Sequence, residues 1–319
     1  MDATASSSSS PAGTAIKKSR RQRQVKINYD AAPIVKWAGG KTKLLPELLR
    51  RMPASYGRYH EPFVGGGALF FRAAPVRASL CDANTDLMDT YRAVAIDVEA
   101  VISALLDHAK WHRESAGHYY STRDLWNNRS TRVLTSAQRA AAFIYLNKTC
   151  FNGLFRVNAS GGFNVPRGDY EDPAICNGTA LRVASAALSS ATLHSGDYRQ
   201  ALGVVDGVVD GVVAGDYRQA LDGVVAGDYV YLDPPYDGTF ASYTAGKFAA
   251  DEQLALAGVV RSLVDRGVMV MASNADTPFV RELYAGYRID SVRCARSINS
   301  NGAKRGSVGE VVVMAGYDA

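Results

Sequence analysis

The sequence predicts an α/β protein: a mixed sheet with an antiparallel hairpin at its C-terminal end, interrupted by an inserted, mostly helical lobe that carries a hairpin of its own. Three observations predict it. Short apolar runs alternate with amphipathic helical stretches from Ala32 onward; this alternation breaks down between about residues 111 and 177; and the last segment, YRIDSVRCARSINSNGAKRGSVGEVVVMAGY, reads as two strands around a polar, basic loop.

The elements follow in order. Residues 1–28 begin MDATASSSSSP and run through KKSRRQRQVK, with too few large apolar groups to fold, so they read as a disordered basic tail. The strands expected are RYHEPFVG, ASLCDAN, ATLHSGD, DYVYLDPPY and GVMVMASN; the helices expected include 86–107, 136–148, 251–266 and 278–285, the last with Thr277 as cap and Pro278 in its first turn. The sheet domain is then 29–110 with 178–319, and the lobe is 111–177, with Gly161-Gly162 as a hairpin tip. The phrase GDYRQAL occurs twice, 19 residues apart, which reads as a tandem duplication adding residues 203–221 inside the sheet domain.

Composition narrows the function classes. No run of 18 or more apolar residues is present and the N-terminus lacks a secretory signal, so the expectation is a cytoplasmic protein without membrane spans. Cys81, Cys150, Cys176 and Cys294 lie far apart, without a C-x-x-C pair, and His108 and His112 lack the glutamate of a zinc-protease helix; neither set reads as a metal site. The formal charge of +5 resides in the tail, where Lys17, Lys18, Arg20, Arg21, Arg23 and Lys26 face one acid, Asp2. On the otherwise neutral body, residues 110–168 carry nine Lys or Arg against two acids, and residues 288–305 five against one. Such local excess suits phosphate contacts.

PFVGGGALFF follows a strand and opens toward a helix, so Gly65, Gly66 and Gly67 permit close approach of a ligand to the backbone, although the same turn also serves as plain strand-to-helix geometry. Asp82, 17 residues past Gly65 at the end of the next strand, stands where an acid commonly holds ribose hydroxyls. Together they suggest an adenosine-containing cofactor, and neither GxGxxG nor a P-loop is present. In DPPY, prolines without N–H leave the Asp233 carboxylate and the Pro234 carbonyl as acceptors, with Pro235 and Tyr236 completing the turn. Two acceptors suit an exocyclic amine, whose delocalised lone pair they can localise for attack on a methylsulfonium, while Tyr236 stacks on the base.

With KWAGGK at 36–41, EPFVGGGALFF, DANTDL, YLNKTCFNGLFRVNASGGFNVPRG, YLDPPY and RSINSNG in this order, the chain resembles the Dam-like DNA adenine-N6 methyltransferases from about Pro33 to Met314. The resemblance implies a class I methyltransferase fold that uses S-adenosylmethionine and acts on a flipped-out adenine in double-stranded DNA. It implies that Trp37, Lys41, Phe63, Gly65, Gly67, Asp82 and Asp233 line the cofactor pocket, together with one GDYRQAL copy, for which Asp197 and Tyr198 are taken over Asp216 and Tyr217 because they directly follow ATLHS. For DNA it implies Lys36 on a guanine, Phe151 inserting into the base stack, Asn152, Leu154 and Arg156 in the reading hairpin, and Arg167 beside it. The RSINSNGAKR loop, with Arg296, Asn299, Ser300, Asn301 and Lys304, offers donors for the DNA backbone. A short, palindromic adenine-containing site such as GATC, with a homodimer on DNA, and a bacterial or phage nucleoid setting complete the expectation. The alternatives are an amino-methyltransferase acting on RNA or on cytosine N4, and a noncatalytic DNA-binding regulator on the same fold; the hairpin motif and the intact Asp233, Tyr236 and glycine turn speak against them.

Overall fold

The structure is a computed structural model that describes residues 28, 30–115, 117–202, 223–236, 250–294 and 308–318. Seven strands form one sheet in the order β3 (Ala191–Ser195), β2 (Ala78–Asp82), β1 (Tyr59–Glu61), β4 (Tyr229–Leu232), β5 (Met269–Ala275), β7 (Val308–Ala315), β6 (Arg288–Cys294). β1 to β5 run parallel; β7 lies antiparallel between β5 and β6, with Ala272 opposite Val313 and Ser291 opposite Val311. This is the expected class I methyltransferase sheet, and each of the seven expected strands is in it.

The central strands are apolar throughout because both of their faces are covered. Along β4, Tyr229 and Tyr231 enter one core while Val230 and Leu232 enter the other; along β7, Val312 and Met314 alternate in the same way with Val311 and Val313. The first core takes α1 (Leu45–Arg51), α2 (Ala68–Ala73), α3 (Thr85–Ile96) and α7 (Gly178–Leu188), the second α8 (Tyr198–Ala201), α9 (Ala250–Asp265) and α10 (Pro278–Leu283). Helices α1 and α7 are additions to the expected set.

One expected helix, 86–107, is corrected. The chain breaks at Asp97, whose side chain accepts from the Ala100 N–H and starts a second helix, α4 (Val98–Glu114). A short acceptor side chain on a residue of non-helical backbone satisfies an otherwise orphaned helix N–H, which makes the cap a competitor of the continuous helix. Other starts follow their sequence signals: Thr135 and Gln138 form a reciprocal capping box on α6 (Ser136–Thr149), and Thr277 caps α10.

α5 (His118–Asn127) and α6 belong to the lobe, yet Tyr119, Phe143, Tyr145 and Phe163 share one continuous core with Leu80 and Tyr91 of the sheet domain. The Arg129 guanidinium also makes a two-oxygen contact with Asp86 of α3, its nearest nitrogen 2.8 Å from the carboxylate. The shared core and this ion pair tie the segment to the sheet domain. Among the described residues no helix is long and apolar enough to cross a membrane.

Candidate active site and nucleic-acid interface

Strand order reverses between β1 and β4, so the connections leaving these two strands pass to opposite faces and open a crevice beyond their carboxyl ends. Four of the expected motifs meet there by chain connectivity alone: the glycine turn after β1, Asp82 at the end of β2, Gly196-Asp197-Tyr198 after β3, and DPPY after β4.

The turn after β1 requires glycine at Gly65, where φ is +46° and an added Cβ would stand 2.7 Å from Cδ1 of Trp37. Its N–H donates to Asp82 Oδ2 at 2.9 Å, and its carbonyl accepts from the Tyr91 hydroxyl at 2.7 Å. Asn84 N–H donates to the other Asp82 oxygen at 2.8 Å. Asp82 thus braces the turn, and each carboxylate oxygen keeps acceptor capacity for a ligand. Burial raises its pKa, opposed by the two backbone donors. Gly67 starts α2.

The first GDYRQAL copy follows β3, where the Gly196 N–H donates to the Asp82 carbonyl. Tyr198 is buried beneath Phe63, ring centroids 4.9 Å apart, in the second core. Asp197 turns outward and pairs with Arg199, which also holds Glu252 at 2.6 Å. The second copy, with Asp216 and Tyr217, lies outside the described residues, as do residues 203–221.

At the end of β4, Lys41 Nζ lies 2.8 Å from Asp233 Oδ1, 2.7 Å from the Gly39 carbonyl it donates to, and 4.7 Å from the centroid of the Tyr236 ring. Burial raises the Asp233 pKa and the Lys41 ammonium opposes that rise. The Tyr236 hydroxyl donates to Glu310 Oε2 at 2.9 Å. Gln253, fully buried on α9, donates to the Pro235 carbonyl at 2.9 Å and accepts from Asn274 of β5. The prolines therefore sit in a segment fixed on three sides.

Glu61, at the end of β1, is 3% exposed and accepts from the Tyr59 hydroxyl at 2.7 Å. Burial pushes its carboxyl from an ordinary 4.5 up to about 8, against the pull of that hydrogen bond. A folded-state pKa above the unfolded one gives a contribution to stability that is fully present below about 4.5 and fades as pH rises through about 8. Glu61→Gln, which cannot ionise, is expected to gain thermal stability over the parent protein across that window. A melting-temperature difference that stays flat with pH would contradict the assignment.

Glu61, Gln253, Asn274 and Glu310 are site residues that the sequence expectations missed. An acid inside the apolar run GEVVVMA and another directly before PFVGGG are the signals that could have drawn attention to two of them.

The lobe brings a second group to the mouth of the crevice. Asn147 of α6 accepts from the Lys36 N–H at 2.7 Å and donates to the Lys36 carbonyl at 2.8 Å and the Gly153 carbonyl at 3.3 Å. It ties KWAGGK to the base of the expected reading hairpin. Gly153, at φ +63°, passes so close to Lys36 that a Cβ would collide with that side chain. Phe151, 49% exposed, and Asn152, at φ +56°, form the single 3₁₀ turn there. Arg156 is exposed and donates to Asn164 at 2.8 Å, whereas Leu154 packs half-buried against the core. Asn158 accepts from the Gly162 N–H across the Gly161-Gly162 tip. Arg167 pairs with Cys150 in a β-bridge, and Lys36 Nζ lies over the Tyr170 ring, 4.6 Å from its centroid. Arg296, Asn299, Ser300, Asn301 and Lys304 lie outside the described residues.

His108 and His112 are not on an ordinary exposed face. His108 stacks on Tyr145 and meets His118 at 3.0 Å, and His112 meets the Tyr145 hydroxyl at 2.9 Å. Burial pulls the His108 pKa down to about 4 and lowers those of His112 and His118, which favours the neutral rings.

The family model of the D12 class N6 adenine-specific DNA methyltransferases matches residues 37–210 and 209–298, and the two matches join inside the duplicated segment. A type II methyltransferase of Lactococcus lactis subsp. cremoris, M1.LlaDCHI, is 34% identical over 296 residues, covering 90% of this chain and 96% of that protein. The retron Ec67 DNA adenine methylase of Escherichia coli is 34% identical, with 89% of this chain and 91% of that protein covered. The DNA adenine methylase of Escherichia coli strain K12 is 32% identical over 285 residues, with 88% and 94% covered.

Proposed function

Because this chain belongs to the D12 class of N6 adenine-specific DNA methyltransferases, we propose that it takes its methyl group from S-adenosylmethionine and delivers it, at the carboxyl end of β4, to N6 of an adenine flipped out of duplex DNA. The observation that carries this reading is the Asp233–Lys41 ion pair, closed over by Tyr236, at the sheet's switch point.

The residues present fit such a donor. Glu310 lies close enough to Asp233 to act on its charge, and these two carboxyls stand against the single Lys41 ammonium, an environment that favours a cationic ligand. The Gly65 turn admits close approach, with Asp82 available to ribose hydroxyls. When bound, S-adenosylmethionine supplies an electrophilic methyl group on a sulfonium.

The chain's own residues do the rest. Asp233 and the Pro234 carbonyl each accept one hydrogen of the adenine amine, which localises the N6 lone pair toward the methyl group. As the new N–C bond formed and the methyl–sulfur bond broke, leaving a neutral thioether, the positive charge would pass to N6 beside the Asp233 carboxylate, and the one proton that must leave N6 would have that carboxylate as its acceptor. Tyr236 stacks on the base. Lys41 keeps Asp233 oriented against the cost of burying it.

Phe151 enters the stack the adenine leaves, and Lys36 and Arg156 read the outer pairs of a short palindromic site, for which GATC is the first choice to test, on a duplex that can hold two copies of the chain. Asn152 and Leu154 belong to the reading hairpin, Arg167 binds DNA beside it, and the 296–304 loop contacts the backbone. Tritium transfer from labelled S-adenosylmethionine to duplex DNA, set against single-stranded DNA and RNA, tests the reading. Transfer confined to RNA, or to cytosine, would overturn it, and mapping N6-methyladenine in cells expressing the protein identifies the site.

The duplicated residues 203–221 act as a spacer, which the join of the two family matches within that segment supports. Deleting them is expected to leave methyl transfer intact. A folded but inactive deletion protein would give the repeat a working role.

A further inference from the structure

We propose that Glu310 is a positioning residue for methyl transfer: its carboxylate fixes the Tyr236 ring, and through that ring it sets Lys41 and Asp233. The inference rests on the reading above, in which Tyr236 receives the target base. Glu310 stands in β7, where the next five residues, Val311 to Ala315, are buried and apolar, and it is itself 6% exposed. A carboxylate there is costly unless something holds it. The β7 register puts it opposite Ala275 of β5 and Val292 of β6, with its side chain reaching the DPPY segment that follows β4.

Tyr236 also makes a side-chain hydrogen bond with Asp233 itself, and a second route runs in series. Glu310 Oε2 accepts from the Tyr236 hydroxyl at 2.9 Å; the face of that ring carries Lys41 Nζ at 4.7 Å; and the same ammonium lies 2.8 Å from Asp233. A tyrosine ring is set by two torsions; a hydrogen bond at its far end restrains the first, and the preference of the phenolic O–H for the ring plane biases the second. An anionic acceptor on the hydroxyl also adds electron density to the ring, which strengthens its hold on the ammonium. The antiparallel strand beyond the ligand crevice is thereby connected to the reacting atoms, 74 residues after Tyr236 in the chain.

Substitutions separate acceptor from charge. Glu310→Gln keeps an acceptor for the hydroxyl, whereas Glu310→Leu removes it; Glu310→Met, closer in length, replaces the leucine variant if that protein does not fold. Single-turnover tritium transfer from labelled S-adenosylmethionine to unmethylated plasmid DNA is measured for these, for Tyr236→Phe and for the double variant E310L/Y236F, with thermal melting alongside. Expected are a loss of no more than about tenfold for Glu310→Gln, which keeps the acceptor but not the charge, a loss of about 100-fold for Glu310→Leu with duplex affinity unchanged, and a double variant no slower than the slower single one. Parental rates in Glu310→Leu, equal losses in the Gln and Leu variants, or losses that multiply in the double variant would each overturn the proposal. Asp233→Asn run in parallel separates the two levels: if it transfers methyl groups at the parental rate, the reading of the site falls, whereas an inactive Asp233→Asn beside a fully active Glu310→Leu removes the inference alone.

Discussion

Asp233→Asn is expected to lower the single-turnover rate of methyl transfer by about 1,000-fold while duplex binding is retained. The side chain is 17% exposed and its carboxylate is in contact with the Lys41 ammonium, so the substitution removes charge without removing volume. Two effects then add. The positive charge that develops on N6 loses its counterion, and the new amide must turn its NH2 either toward Lys41 or toward the substrate amine, each an opposed pair of donors. A buried ammonium left without its anion also costs stability, so the melting temperature should fall together with the rate. A folded Asp233→Asn protein within about tenfold of the parental rate would remove Asp233 from the chemistry.

Asn147→Leu is expected to destabilise the protein by about 3 kcal/mol or more, a fall in melting temperature of about 10 °C, and to weaken discrimination between DNA sequences. Asn147 is 2% exposed, and its amide serves both backbone groups of Lys36 and the Gly153 carbonyl. Leucine fills the space but leaves the buried Gly153 carbonyl and the part-buried Lys36 groups without this partner. The loss is also directional in the structure, because the bonds join the KWAGGK segment of the sheet domain to the turn that presents Phe151 and Asn152. Calorimetric melting and binding to cognate against shuffled duplexes check both halves. A variant that melts within about 2 °C of the parent would show that the amide is dispensable.

How legible these sites are in the sequence follows from how local they are. Asp233, Pro234, Pro235 and Tyr236 are contiguous, and the glycine turn and Asp82 each end a strand whose apolar run is plain, so residue type and position identify them together. Glu310 and Asn147 act across 74 and 111 residues, and nothing in a local window marks the partner of either. Gln253 reads as one more polar residue in an amphipathic helix, yet it is fully buried and bonded to Pro235 because it lies on the same buried face of α9 as Leu256, Ala257 and Val260. The helix expected over 86–107 misleads for a related reason: the apolar period continues across Asp97, and the break comes from a single capping bond that the period does not register.

The order of strands and helices, the motifs at the strand ends and the basic character of the lobe were determined by the sequence itself, since each depends on a short window of residue types. The strand order that reverses between β1 and β4, the register that brings Glu310 of β7 to Tyr236, and the Asn147 bridge between lobe and sheet were decided by the tertiary structure. Side-chain periodicity tells which face of an element is buried, but the partner that covers it is selected by packing among distant segments, where a shift of one residue in register would turn Glu310 to the opposite face of the sheet.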